Sequence, residues 1–111
     1  MENIWKDITE ETLLNEVQVL RADKYRLVQQ CARKTEEGNY ELLYSFGKGY
    51  DAEHLKFQVA PGQSVQSISH IFPPAFLYEN EIHDLFGIEI KDITLDFRGG
   101  LYRTAVKAPF A

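Results

Sequence analysis

One stretch constrains the fold of this chain more than any other, residues 73–88, which read Pro-Pro-Ala-Phe-Leu-Tyr-Glu-Asn-Glu-Ile-His-Asp-Leu-Phe-Gly-Ile. Pro74 suits the first turn of a helix because its missing N–H has no intrahelical partner to lose. Gly87 suits the end of a helix because glycine adopts a left-handed conformation without steric cost. The stretch therefore predicts about three turns of helix. Its apolar side at helical spacing consists of Tyr78, Ile82 and Leu85.

The acidic residues of this helix are its unusual feature. Glu79 and Glu81 are two residues apart, so they point to different faces and flank the apolar side. Asp84 follows Glu81 by one turn, and His83 lies on the far face. Because only Glu81 and Asp84 share a face, we expect neither a metal site nor a paired-carboxylate acid–base site. The acids then form either a solvated polar face or a fixed set of contacts for a partner.

The acid pattern resembles the signature of a known family, the C subunit of respiratory complex I, which is also the small subunit of energy-converting membrane-bound NiFe hydrogenases. The lead-in Ser-Ile-Ser-His-Ile-Phe-Pro at residues 67–73 is similar as well. The sequence departs from the pattern at Asn80, where the family usually carries Arg, and the tail through Arg103 fits more loosely. The residues that match the signature are Glu79, Glu81, Asp84, Phe86, Gly87 and Ile88.

The resemblance implies a scaffold subunit of a membrane-bound oxidoreductase, with no catalytic residue, cofactor or metal of its own. Such a subunit braces the large subunit that holds the quinone site or the NiFe centre, on the cytoplasmic side of the membrane. Glu79 and Glu81 would then pair with cations of the partner, and Arg98 and Arg103 with its acidic groups. The shortness of the chain favours the ferredoxin-dependent hydrogenase type over an NADH:quinone oxidoreductase. The competing interpretation is a stand-alone domain that binds a small ligand or a metal at the same acids.

Composition limits the remaining classes of function. A chain of 111 residues with 44% hydrophobic and 26% charged residues predicts one globular domain over residues 1–111. The formal charge of −5 argues against unaided binding to nucleic acid or an anionic membrane. We find no apolar run of about 18 residues and no secretory leader, so we expect contact with a membrane only through a complex. The single cysteine, Cys31, predicts a packed thiol in a reducing compartment.

The pattern along the rest of the chain predicts an α+β fold. Thr9 is the expected N-cap of an amphipathic helix over residues 10–21. Residues 25–34, 40–46 and 54–59 have strand character, the first with apolar residues on both faces as in a central strand, and residues 65–71 are a possible fourth strand.

The expected architecture is an antiparallel sheet of three to four strands, with the N-terminal helix and the motif helix on one face. An extended C-terminal tail, residues 96–111, follows and is expected to dock on a partner.

Overall fold

The computed structural model describes residues 3–93. The expectations for the tail at residues 96–111, including Arg98 and Arg103, lie outside the described residues. Within residues 3–93 the strands are β1 (Asn3–Asp7), β2 (Arg26–Lys34), β3 (Tyr40–Lys48), β4 (Asp51–Val59), β5 (Val65–Gln66) and β6 (Ile90–Lys91). The helices are α1 (Leu13–Ala22), entered through a 3-10 turn at Glu10–Thr12, and α2 (Ala75–Phe86).

The main sheet has four strands in the order β1-β4-β3-β2. The meander β2-β3-β4 is antiparallel, and β1 is parallel to β4 with Trp5 opposite His54. Strands β1 and β2 run in the same direction at opposite edges of the sheet, so a short turn cannot join them, and α1 carries the chain from one to the other. The α+β class and a sheet of this size are confirmed.

The core lies between one face of this sheet and both helices, as expected. Helix α1 contributes Leu13, Val17 and Leu20, and α2 contributes Ala75 and Ile82. The residues of β3 and β4 that alternate inward are Tyr40, Leu42, Tyr44, Phe46, Leu55, Phe57 and Val59. The two-residue periodicity of these strands, set against the helical spacing of α1, therefore located most of the core from sequence alone.

The first helix begins as the sequence indicates. Thr9 has extended backbone angles, its own N–H donates to the Thr12 hydroxyl at 3.3 Å, and the two side chains form a capping box. The first turn is 3-10 rather than α, so the α-helix begins at Leu13.

Two strand predictions were wrong. Residues 25–34 do not form a central strand, because β2 lies at the edge of the sheet and its apolar Val28 and Cys31 face outward. Cys31 is therefore exposed rather than a packed thiol. Residues 65–71 add no strand to the main sheet; only Val65–Gln66 is extended, and it pairs in parallel with β6 as a separate two-stranded ribbon. Apolar content on both faces of a strand does not by itself bury both faces.

The fourth strand of the main sheet is β1, in a segment where the sequence pattern predicts no strand. The strand is almost entirely exposed, so it lacks the alternation that marks a half-buried strand. Trp5 keeps 58% of its surface exposed and stacks on His54 with ring centroids 4.1 Å apart. This strand is created by pairing with β4, some 50 residues away, which no local pattern can reveal.

Helix α2 ends as predicted. Gly87 has φ 74° and ψ 12°, and its N–H donates to the His83 carbonyl at 2.8 Å, which closes the last turn in a left-handed conformation. A side chain with a β-branched carbon is strained at this φ.

We expect Gly87→Val to lower the free energy of unfolding by about 1–3 kcal/mol through backbone strain. Gly87→Asn is the matched control, since asparagine tolerates the left-handed region and should lose less. Urea denaturation of both variants beside the parent chain measures the difference. Equal stabilities for the Val and Asn variants would contradict the strain.

Candidate functional site

Helix α2 turns one of its acidic residues into the core. Residues 75, 79, 82 and 86 follow one another at spacings of four, three and four, which places them along the inward side of a helix. Ala75 and Ile82 are apolar, but between them stands Glu79, whose side chain is 0% exposed. A buried carboxyl is rare in a domain of this size and requires compensating hydrogen bonds.

Three donors from two other elements meet the Glu79 carboxyl. The Ile68 backbone N–H donates to Oε2 at 2.9 Å, and the Ser67 hydroxyl donates to Oε1 at 2.6 Å. A longer contact of 3.4 Å joins Nε2 of Gln30, on β2, to Oε2. The carboxyl thus joins α2, the lead-in loop at residues 67–72 and the edge strand of the sheet. We call Glu79, Ser67, Ile68 and Gln30 the carboxyl cluster.

The lead-in loop is built to present these donors. The Ser69 backbone N–H donates to the Ser67 hydroxyl oxygen at 3.0 Å, and the two hydroxyl oxygens are 2.6 Å apart. Since Ser67 gives its own proton to Glu79, the Ser69 hydroxyl is the donor between the two serines. The Ile68 carbonyl then accepts the N–H groups of Ile71 and Phe72 in a turn that leads into α2.

Burial shifts the balance between the protonated and the charged form of the Glu79 carboxyl. Removal from water raises the pKa of the Glu79 carboxyl, and the hydrogen bonds from Ser67, Ile68 and Gln30 oppose that rise only in part. The buried hydroxyl of Tyr44 also has a raised pKa, first because of its own burial and second because the Glu79 carboxylate is near. The cluster therefore favours a protonated carboxyl more than water does.

The expectation that Glu79 is an exposed acid, facing a partner together with Glu81, is wrong. Glu79 lies inside the domain, and Glu81, two residues on, remains partly exposed. It is Glu79 that holds a loop within the domain, through the Ser67 hydroxyl and the Ile68 N–H. The spacing of Glu79 from Ala75 and Ile82 was the signal available in the sequence. It was missed because a charged residue was assigned to the outside.

The other motif residues within 3–93 serve mainly to seat the helix. Asp84 and Ile88 are buried, and Phe86 is half-buried with its ring edge-on to Tyr40 at a centroid distance of 6.0 Å. Asn80, where the sequence departs from the signature that it resembles, is fully buried, and its Nδ2 donates to the Phe76 carbonyl at 2.7 Å.

The outward side of α2 combines an apolar and an acidic residue. Leu77 keeps 49% of its surface exposed, and Glu81 follows it by one turn, so the two side chains are neighbours on the helix surface. Among residues 3–93, Glu81 takes part in none of the four ion pairs. The side chains of Leu77 and Glu81 are thus accessible from solvent on the outward side of α2.

A Ser–His–Asn row on the opposite face of the sheet was not foreseen from the sequence. The Ser45 hydroxyl lies 2.8 Å from Nδ1 of His54, whose Nε2 is 3.4 Å from Oδ1 of Asn3. The arrangement is that of a nucleophile with a base and an orienting amide, but Ser45 is only 3% exposed. A hydroxyl buried to this extent cannot reach a substrate. We therefore assign these three side chains a structural role, which is to hold β3, β4 and β1 together.

Two further observations concern metal binding and membrane spanning. Within the described part of the chain, no three His, Cys, Asp or Glu side chains gather closely enough to hold a metal ion. No helix between residues 3 and 93 is long and apolar enough to cross a membrane.

Comparison with known proteins gives a family and a fold. The family model of the respiratory-chain NADH dehydrogenase 30 kDa subunit matches residues 7–99. Among solved structures, the chain is similar to a subunit of the membrane-bound sulfane sulfur reductase, described as an archaeal respiratory membrane complex. The TM-score is 0.85 at 14% identity, over 98% of this chain and 68% of that one. No curated protein matches the sequence.

We expect Glu79→Ala to lower the free energy of unfolding by about 2–4 kcal/mol, because it leaves the Ser67 hydroxyl and the Ile68 N–H buried without their acceptor. Glu81→Ala, on the same helix, should change it by no more than about 0.5 kcal/mol. Chemical denaturation measures both. Similar losses of unfolding free energy in the two variants would contradict the structural role of Glu79.

The stability that Glu79 contributes should also depend on pH. A carboxyl whose pKa is raised by folding binds its proton more tightly in the native state, so its contribution is complete below the unfolded pKa of about 4.3. That contribution is lost as the pH rises through the folded pKa. The advantage of the parent chain over Glu79→Gln should therefore shrink from pH 4.5 to pH 8 in urea denaturation. An advantage that stays constant or grows would refute the raised pKa, and Glu81→Gln serves as the control.

Proposed function

The chain belongs to the family of the respiratory-chain NADH dehydrogenase 30 kDa subunit, and from this premise we propose that it is a non-redox scaffold subunit of a membrane-bound oxidoreductase. In this proposal it braces the large subunit in the arm of the complex on the cytoplasmic side of the membrane. The match of the family model over residues 7–99 is the observation that carries the proposal. The protein would then be peripheral, held at the membrane by its partners.

The carboxyl cluster supports a structural role for the motif. Both oxygens of the Glu79 carboxyl accept hydrogen bonds from within the domain, so this acid is occupied by the fold itself. What the motif then provides is a helix fixed to the lead-in loop and to β2, with a defined outward side. A rigid helix of this kind gives up little conformational entropy when a partner binds it.

Leu77 and Glu81 are the contact that we assign to the large subunit. An exposed leucine beside a partly exposed carboxylate suits a partner surface with an apolar pocket and an Arg or Lys at its rim. Arg98 and Arg103 remain our proposal for contacts with acidic groups of the same partner.

Three complexes are candidates for the one that contains this chain and its large subunit. Two follow from the motif and the third from the fold. The motif resembles that of energy-converting NiFe hydrogenases, for which ferredoxin would be the electron donor, and of NADH:quinone oxidoreductases. The likeness of fold to a sulfane sulfur reductase subunit adds a sulfur-reducing complex as a candidate. Purification of the tagged chain from native membranes, followed by assays of hydrogen evolution, NADH-dependent quinone reduction and sulfane sulfur reduction, distinguishes the three.

The competing function is a stand-alone domain that binds a small ligand or metal at the motif acids. The internal hydrogen bonds of Glu79 count against it, because the carboxyl would have to give up Ser67 and Ile68 to bind anything else. A tight one-to-one metal titration of the purified chain would support this competitor over the scaffold.

We expect Glu81→Gln to weaken assembly while sparing the fold. Removal of one member of a desolvated interfacial ion pair commonly costs about 2–5 kcal/mol, since the partner's cation is left buried and unpaired. The measurement is recovery of the large subunit by the tagged chain, with a melting curve of the isolated variant beside it. Arg98→Ala and Arg103→Ala are tested in the same assay.

The matched control is Asp51→Asn. This exposed acid begins β4 and pairs with Lys48, at the far end of β3 from Tyr40, the residue against which the last residue of α2 packs. Recovery at the parental level with Glu81→Gln would contradict the assignment of Glu81. Failure of the parent chain to recover any large subunit would reject the scaffold function itself.

A further inference from the structure

The carboxyl cluster is linked by hydrogen bonds to β6. The Ser67 hydroxyl donates to Glu79, and the backbone N–H of the same residue donates to the Lys91 carbonyl at 2.9 Å. Ser67 is therefore held by α2 through its side chain and holds β6 through its backbone. Two hydrogen bonds in series connect the Glu79 carboxyl to residue 91.

Further contacts hold residues 89–92 to the same loop. The Val65 N–H donates to the Glu89 carbonyl at 2.9 Å, which completes the parallel ribbon of β5 and β6. Nε2 of His70 lies 3.0 Å from the Asp92 carbonyl oxygen, and Nε2 of Gln66 donates to the Asp92 carboxylate at 3.1 Å.

These hydrogen bonds to residues 89–92 thus come from residues 65–70, while the side chain of Ile90 is buried in the core. The segment 65–70 is short and pairs with no strand of the main sheet. Two carboxylates hold it: Glu10 accepts the Gln66 N–H at 3.2 Å, and Glu79, from the core, accepts hydrogen bonds from two consecutive residues, Ser67 and Ile68. Without Glu79, the segment keeps its apolar contacts through Val65 and Ile68 but loses its polar anchor to α2.

We infer that Glu79 is a positioning residue for β6: through Ser67 it fixes where β6 lies, and residues 94–111, to which the proposed partner contacts of Arg98 and Arg103 belong, follow β6 in the chain. The inference rests on the proposed function for the partner, but its structural half concerns the isolated chain alone. It gives the buried acid of the motif a role in assembly that requires no contact between Glu79 and the large subunit.

Glu81 and Glu79 then act on assembly in different ways. Glu81 is accessible at the surface of α2, whereas Glu79 acts through the ribbon of β5 and β6. A variant of Glu79 should therefore disturb the hydrogen bonds of the ribbon before any partner is present, and a variant of Glu81 should not.

Amide hydrogen exchange of the isolated chain, followed residue by residue by NMR, tests the structural half. In Ser67→Ala and Glu79→Ala, exchange of the amides at positions 65 and 67 should accelerate roughly three- to tenfold, the effect of losing one net hydrogen bond. Amides in the middle of β3, such as that of Tyr44, exchange through global unfolding, so the Tyr44 rate of each variant is subtracted from the rates at positions 65 and 67, and the expected acceleration is that of the remaining local opening.

Two variants separate this linkage from general loss of stability. Ser45→Ala removes an equally buried hydroxyl on the other face of the sheet, where its partner is His54, and should leave positions 65 and 67 unchanged relative to Tyr44. Glu79→Gln keeps a side-chain oxygen for the Ile68 N–H and should protect the ribbon better than Glu79→Ala. If Glu79→Ala does not fold, Ser67→Ala carries the test.

Recovery of the large subunit by the same tagged variants tests the functional half. Ser67→Ala should recover less large subunit than Ser45→Ala, and Glu79→Gln should recover more than Glu79→Ala. Unchanged exchange at positions 65 and 67 in folded Ser67→Ala and Glu79→Ala would overturn the inference. Accelerated exchange with recovery equal to that of Ser45→Ala would overturn its link to assembly. If the parent chain recovers no large subunit, the proposed function fails, while the exchange data still decide the role of Glu79 in the ribbon.

Discussion

The burial of one carboxyl, that of Glu79, determines how the parts of this domain fit together. A charged or even neutral carboxyl withdrawn from water costs free energy unless its hydrogen bonds are replaced. The chain replaces them with the Ser67 hydroxyl, the Ile68 N–H and the amide of Gln30, drawn from two different elements. Satisfying one side chain therefore requires α2, the lead-in loop and β2 to take a single relative position. Apolar contacts tolerate small slips, whereas hydrogen bonds of 2.6–2.9 Å do not.

This requirement gives the domain two kinds of contact with different roles. The sheet, α1 and the apolar side of α2 form an ordinary core, which stabilises the fold by burying Tyr44, Phe46 and their neighbours. The carboxyl cluster fixes the relative positions of the elements around that core. It specifies where the loop at residues 67–72 lies, and the loop in turn holds the last described strand. For a subunit whose proposed work is to hold another protein in place, such geometric definition matters more than additional stability.

The motif thereby divides between an inner and an outer side of one helix. Glu79 faces the loop and the sheet, while Leu77 and Glu81 face away from them. Since the two acids are two residues apart, a helix must place them on different sides, and the polar environment of one cannot be shared by the other. The same short pattern can accordingly specify both the internal geometry of the domain and the surface offered to a partner.

The sequence alone determined the features that follow from short-range periodicity. Helical spacing located α1 and α2, strand alternation located the inward residues of β3 and β4, and Gly87 marked the end of the motif helix because only a left-handed residue closes the turn there. The acid pattern also indicated the family that the family model supports.

Only the tertiary structure decided which strands are neighbours and which acid is buried. The pairing of β1 with β4 and the edge position of β2 depend on residues far apart in the chain, and the exposed residues of β1 carry no local alternation. The inward position of Glu79 is permitted by its spacing, but burial of a carboxyl is stable only where Ser67 and Ile68 meet it. That encounter between residues more than ten positions apart exists in the folded chain and not in the pattern of the sequence.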